Sequence, residues 1–477
     1  MKEVNFDSQE DYGYKVVIGD SGLADLGWAT YVGHPFIFDG RPGYAALPNA
    51  FLIDRAIGVW DPVGRGTRQD VPLSRMSVVS YAHWLANALE WADARGVELL
   101  QAEYTSELLA RYQAEMLSGL WSASMKPLSA VTVNLRVTAV VEYQMWAADK
   151  GLRSPVVIPT ITRTIKTGSA HNSRGHESRT VAGRKGKVKV EEKPLLLPPD
   201  DWIGLWRQRV AERPVFGKTE ALIADLILHT GIRVSEAAGW RVDTLPIDPR
   251  QWQITNPEQA PEHRLVSVSI KYGTKGPDLY EDHGDKVGKP ETIRVPLWLC
   301  EKLHHYHQTI RPISLKPAMA KAKSAAAAKA LLSRSVHLFI HPVTGKRYTA
   351  AHIQYFWKSA KKRGDQACPG KWSPHSGRHY WACMYLKFRV QEYAALVRKA
   401  LSMPDVSMEH PIMAALKDTA MTVIMTEIKP QLRHERLETT EIYLQWLMRQ
   451  MGVAMDFRAR WLADDGEASD HDENEET

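Results

Sequence analysis

Cysteine is scarce: Cys300, Cys368 and Cys383 are all that 477 residues contain. Three scattered thiols make neither a disulfide framework nor a zinc site, and they suit a reducing, cytoplasmic setting. Long apolar runs are lacking too. Stretches such as ALIADLIL are short and interrupted by charge, so no membrane span is expected. The opening residues MKEVNFDSQEDYGY are polar and acidic, unlike a secretory leader. A glycine cradle for phosphate is missing as well. FGKTEALIADL looks like the end of a P-loop, but Glu212 stands where that motif needs its first glycine. The run HHYH, His304 to His307, has no carboxylate or cysteine cluster at metal-ligand spacing. A polar helix face explains it, and neither metal nor cofactor is expected.

What is present is an ordinary globular composition, 44% hydrophobic, in a chain long enough for two or three domains. The net charge of +6 is unevenly spread. Asp464 to Thr477 holds eight acids and no Lys or Arg, which leaves +14 on the rest. A basic body with an acidic tail suits a polyanionic partner, most simply nucleic acid.

Residues 1–70 are rich in Gly, Pro and aromatics, and read as short strands and turns rather than helices. Residues 74–152 change character. Val78, Tyr81, Leu85, Leu89 and Ala92 recur at helical spacing and stop near Gly96. A second helix is expected after Thr105 as N-cap, burying Leu108, Leu109, Tyr112 and Met116. A third carries Val133, Val137, Val140 and Val141 and ends near Gly151. Residues 153–195 read as a basic linker. Its stretch from 160 onward sets nine Lys or Arg against three Glu, too polar to bury a core but able to track a phosphate backbone. Residues 196–455 form a larger, mainly helical domain with a strand-like section from RLVSVSIKYGTKG to ETIRVPL, and AMAKAKSAAAAKALL reads as an exposed helical insertion. Residues 464–477 read as a disordered acidic tail. The fold class expected is mainly α with a small β-sheet.

The chemistry-bearing residues are dispersed. LHTGIRVSEAAGW places Arg233 after a glycine turn, at a helix junction able to hold a guanidinium rigidly toward a phosphate. In SPHSGRHYWACMYL, a helix starting near Pro374 puts His375 and Arg378 on one face of its first turn, where an anion is already favoured. LRHERLETTEIYLQW supplies His434 and, nine residues later, Tyr443. Two guanidiniums, two imidazoles and a phenol can activate a phosphodiester without metal. The arginines stabilise charge on the nonbridging oxygens, and the tyrosine attacks phosphorus once its proton leaves.

On these motifs, TGIRVSE, HSGRH and LRHERLETTEIY in that order, the sequence resembles the tyrosine recombinases of the phage integrase family. The resemblance covers residues 74–152, similar to the helical core-binding domain, and about 196–455, similar to the mixed α+β catalytic domain. It implies a site-specific recombinase of a mobile element. Tyr443 would form a 3′-phosphotyrosyl bond, Arg233 and Arg378 would clamp the phosphate, and His434 would donate a hydrogen bond. His375 would assist proton transfer from Tyr443, while Glu236 and His379 would support the arginines and the fold. A hairpin lysine would protonate the leaving 5′ oxygen. Lys275 fits best, with Lys271, Lys286 and Lys289 as alternatives. The implied partners are double-stranded DNA and further copies of the chain, two on one site and four in synapsis, with no membrane. Two positions depart from the family pattern: Arg433 where glycine is usual and Gly377 where leucine is usual. The other readings are a degenerate recombinase that only binds DNA, and a type IB topoisomerase-like enzyme.

Overall fold

The computed structural model describes residues 13–40, 43–62, 73–167, 177–191, 194–275, 280–361, 372–401, 419–434 and 438–450. The expectations for the acidic tail and for Cys368 fall outside them. The chain divides into two compact units, Met1–Glu192 and Lys193–Thr477.

The first unit opens with a three-stranded antiparallel sheet, β1 (Lys15–Ile18), β2 (Pro35–Asp39) and β3 (Gly43–Tyr44), with a short helix α1 (Gly22–Asp25) between the first two. The reading of this region as helix-free is corrected by α2 (Ala46–Ile57), which ends at Gly58 in the left-handed conformation. Pro48 lies in its first turn, where a missing N–H is tolerated. Buried Asn49 accepts from the Ile37 amide at 2.7 Å and donates to its carbonyl at 2.8 Å, fastening α2 to β2. Phe51 and Leu52 then enter the same core as the following helices, so this segment is part of the helical unit.

Helices α3 (Arg75–Arg95), Tyr104–Gln113 with its continuation α4 (Ala114–Ser118), and α5 (Ala130–Asp149) bury the apolar stripes expected of them. The second starts two residues earlier than expected. Glu103, not Thr105, is the cap, its carboxylate accepting from the Ser106 amide. The supposed basic linker is also different. Thr160–Thr167 (β4) and Glu177–Arg184 (β5) pair as an antiparallel hairpin, and the residues after β5 are bonded to the helices. Tyr104 Oη donates to the Lys185 carbonyl, Gln113 Nε2 to that of Gly186 at 3.0 Å, and Asn134 exchanges two bonds with Val188. Eight backbone pairs in register compensate for the polar composition that pointed to a linker.

The second unit begins with α6 (Asp200–Ala211), α7 (Gly217–Thr230) and the short α8 (Val234–Ala238). A four-stranded sheet follows, in spatial order β6 (Gln253–Ile254), β7 (Leu265–Tyr272), β9 (Asp285–Pro296), β8 (Tyr280–Asp282). The enlarged hairpin has a definite form. The chain leaves β7, forms β8 on the far side of β9, and turns into β9 through His283 and Gly284, both at positive φ. Helices α9 (Leu297–His305), α10 (Arg311–Ala320), α11 (Ala325–Arg334), α12 (Ala350–Ser359) and α13 (Pro374–Leu401) complete the frame. The alanine-rich stretch spans α10 and α11, with Ser324 capping the second at the break. Trp206, Trp357 and Trp372 centre the main core. A smaller core gathers α13, α14 (Lys429–Leu432) and α15 (Glu438–Gln450) around Leu386, Ile424, Leu432 and Tyr443.

Candidate active site

Arg233 is the residue immediately before α8, and Glu236 one turn in closes a box on it. Glu236 accepts from the Arg233 amide at 2.7 Å and from its Nη1 at 2.8 Å. The far side of the guanidinium donates to the Leu432 carbonyl at 3.3 Å. Arg378, on the first turn of α13, is buried and donates to the carbonyls of Gly231 and Leu432. Two arginines 145 positions apart therefore meet at one backbone oxygen beside Tyr443.

The loop after α14 carries His434. Its preceding residue, Arg433, lies in the left-handed region at φ 55°, the conformation a glycine takes at that point in a helix end. The arginine keeps the turn and adds a function to it. Its Nη2 reaches Glu236, its Nε lies 2.8 Å from Glu291 on β9, and its Nη1 donates to the Gln431 carbonyl at 3.0 Å. Gln431 fixes the other side: its amide donates to the carbonyls of Thr230 and Arg294, both at 3.0 Å, and its oxygen accepts from the Arg294 amide at 2.8 Å. One buried side chain thus joins α7, β9 and the histidine loop. The second departure has an equally concrete reason. A Cβ on Gly377 would lie 2.7 Å from Cζ2 of Trp357, so the indole already fills that space.

Tyr443 on α15 is fully buried. Its hydroxyl lies 3.0 Å from Nδ1 of His379, and Nε2 of His379 lies 3.0 Å from Nε2 of His375. His434 instead stacks on the phenol, ring centroids 6.3 Å apart and 17° from parallel, with its Nδ1 on Thr440 Oγ1 at 3.2 Å. His379 was expected only as support; its contact with Tyr443 spans 64 positions, and its place one turn beyond His375 on the same helix was the available signal.

Lys275 is exposed in the connection that leaves β7. That connection is held to α8, since Ser235 Oγ donates to the Gly273 carbonyl at 2.7 Å and a Cβ on Gly273 would lie 2.5 Å from the Ser235 carbonyl oxygen. Lys275 thus sits two residues from a contact that is itself two residues from Arg233. Lys271 lies over the Tyr272 ring at 5.2 Å, while Lys286 and Lys289 lie on β9.

The electrostatics are one-sided. Burial raises the Glu236 carboxyl, but Arg433, Arg233 and Arg378 outweigh it and leave the group below its ordinary value, hence ionised. Burial lowers Arg378 to about 9, with Arg233 adding to the effect. Burial and the same arginines lower His434 to about 3, and burial with His375 and Arg378 lowers His379 to about 4. His375 is lowered by burial, Arg378 and Arg233. All three rings are neutral at pH 7. Burial raises Tyr443 above the usual phenol range while Arg378 opposes it. Among the described residues Arg378 has no carboxylate partner, and none of them groups three His, Cys, Asp or Glu in a way that could hold a metal ion. The cluster can accept an anion and can move a proton away from a phenol.

No protein-family model and no curated protein matches the sequence. Solved structures do. XerH site-specific recombinase in a post-cleavage complex with palindromic difH substrate is similar over 80% of this chain and 80% of its own, with a TM-score of 0.45 and 14% identity. The Tn1549 transposon integrase in complex with circular intermediate DNA is similar over 83% of this chain and 94% of its own, at 0.44 and 12%. A lambda integrase dimer bound to a core site is similar over 82% and 93%, at 0.38 and 11%. Each of these is a likeness of fold alone. No helix among the described residues is long and apolar enough to cross a membrane.

Proposed function

We propose that the chain is a site-specific DNA recombinase that cuts and rejoins strands through Tyr443. The observation that carries this reading is the excess of buried positive charge beside a phenol. Arg233, Arg378 and Arg433 surround Glu236, and Tyr443 and three neutral histidines adjoin them. A scissile phosphate brings the missing negative charge. Arg233 and Arg378 bind its nonbridging oxygens and stabilise the charge that develops as Tyr443 attacks. The Nε2 of His434, whose Nδ1 is held by Thr440, donates a further bond. Lys275, on its tethered turn, protonates the departing 5′ oxygen. A 5′ hydroxyl of a partner strand then attacks the 3′-phosphotyrosyl bond. Each step exchanges one phosphodiester for another, so the chemistry needs no energy source.

Strand exchange between two sites calls for four copies of the chain on double-stranded DNA, and a mobile element is the expected carrier. The test is to map protein-linked DNA ends in cells, then rebuild the mapped site as a nicked duplex that traps the adduct. Wild type gives a covalent complex that Tyr443→Phe abolishes and a chelator leaves intact. An adduct from Tyr443→Phe, or none from wild type, sinks the assignment. Recombinant products between two mapped sites separate strand exchange from simple nicking and resealing.

A further inference from the structure

We propose that His379 is the direct proton acceptor of Tyr443 and that His375 passes the proton on to solvent. The inference rests on the reading of Tyr443 as nucleophile and assigns the step that reading leaves open. The Tyr443 hydroxyl is enclosed, and among the described residues its hydrogen-bond partner is Nδ1 of His379 at 3.0 Å. His375, the residue the motif favours, is one ring further out: its Nε2 faces Nε2 of His379 at 3.0 Å, and it stands at the surface. His434 lies beside the phenol, nearly parallel to it with centroids 6.3 Å apart, and its Nδ1 is on Thr440 rather than on the Tyr443 oxygen.

The tautomers follow from counting hydrogens. A neutral imidazole has one N–H and one lone pair. When Tyr443 donates to Nδ1 of His379, that ring carries its hydrogen on Nε2 and donates it to Nε2 of His375, whose own hydrogen is on Nδ1. The chain then runs from enclosed phenol to exposed ring with no ring having to turn. As the Tyr443 Oη–P bond forms and the P–O5′ bond breaks, the phenolic proton moves to Nδ1 of His379. The Nε2 proton of His379 moves to His375, and His375 releases its Nδ1 proton to water. The leaving 5′ oxygen takes its proton from Lys275. In the resealing step the same hops return a proton to Tyr443.

The groups facing His379 are Arg378 and His375 on its own helix, Tyr443 on α15 and His434 on the loop after α14, with Arg233 acting on its neighbours. With no anion present, burial together with His375 and Arg378 makes His379 a weak base, its value near 4. A phosphodiester between the arginines offsets their charge and strengthens the base as DNA arrives. The relay is thereby coupled to substrate binding.

The test measures single-turnover adduct formation by the full chain on the mapped nicked duplex, made with either an ordinary or a sulfur-bridged 5′ leaving group. His379→Phe should slow the reaction about 100-fold or more on both substrates, because sulfur removes the need for a proton donor but not for an acceptor. Lys275→Ala should be slow only on the oxygen substrate. Difluorotyrosine at position 443, a more acidic phenol, should restore much of the rate to His379→Phe, a rescue that a purely structural histidine would not show. His379→Asn keeps an acceptor for the hydroxyl but cuts the second hop. It should also be slow and rescued, which covers the case in which the phenylalanine variant does not fold. Wild-type rates in both variants, or loss that sulfur repairs or that difluorotyrosine leaves unchanged, overturn the relay. Absence of any wild-type adduct, or persistence in Tyr443→Phe, overturns instead the reading beneath it.

Discussion

Two clusters of buried charge, one in each unit, are built differently. In the first, buried Arg55 is matched: it lies 2.5 Å from Asp61 and 3.6 Å from Glu142, and Glu142 also accepts from Tyr81 at 2.8 Å. In the second, Arg233 and Arg433 share Glu236, Glu291 reaches Arg433, and Arg378 beside them rests on backbone carbonyls. A balanced pair can serve folding alone. A surplus of one sign is held against desolvation only by packing and backbone carbonyls, and it marks where an outside charge belongs.

The contrast can be broken most severely at Tyr443. Phenylalanine there should eliminate the covalent adduct while lowering stability by about 1 kcal/mol, the loss of one hydrogen bond, as read by gel and thermal melt. Arg378→Lys keeps the charge but not the two carbonyl anchors, and should slow cleavage by about 100-fold. Glu236→Gln removes the carboxylate the arginines share. It should destabilise the second unit by about 3 kcal/mol, and added phosphate should recover part of that loss by binding the folded state. Hydrogen exchange should place the change in the second unit and leave α3 and α5 protected.

Acid should separate the units as well. His375, His379 and His434 have folded values below the ordinary 6.5, so the unfolded chain binds more protons as pH falls below that value. Their contribution to stability is present above pH 6.5 and lost on acidification toward 4 and below. His34 is the comparable group in the first unit, lowered to about 4 by burial. The second unit should therefore weaken more steeply with acid, as measured by exchange rates at pH 7 and pH 5. The smallest effect expected is at Ser129, the cap of α5. Alanine there should cost the first unit about 1 kcal/mol and leave adduct formation untouched.

The helices of the first unit were legible because their apolar residues recur at 3.6-residue spacing, and that stripe is what the core buries. Helix α2 was hidden by its proline and flanking glycines, although Phe51, Leu52 and Arg55 share one buried face. The β4–β5 hairpin was hidden by its charge, because backbone pairing needs no apolar face. In the site, short motifs gave Arg233, Arg378, His434 and Tyr443, which the fold gathers. They could not rank His375 against His379, since that order depends on where α15 crosses α13.

The Trp357–Gly377 contact couples α12 to α13 through one filled volume. The space that a side chain at 377 on α13 would need is filled by the Trp357 indole from α12. Related chains should then carry the pair together: a bulky residue at 377 opposite a small one at 357, or the reverse. A variant that changes one alone should be rescued by changing the other.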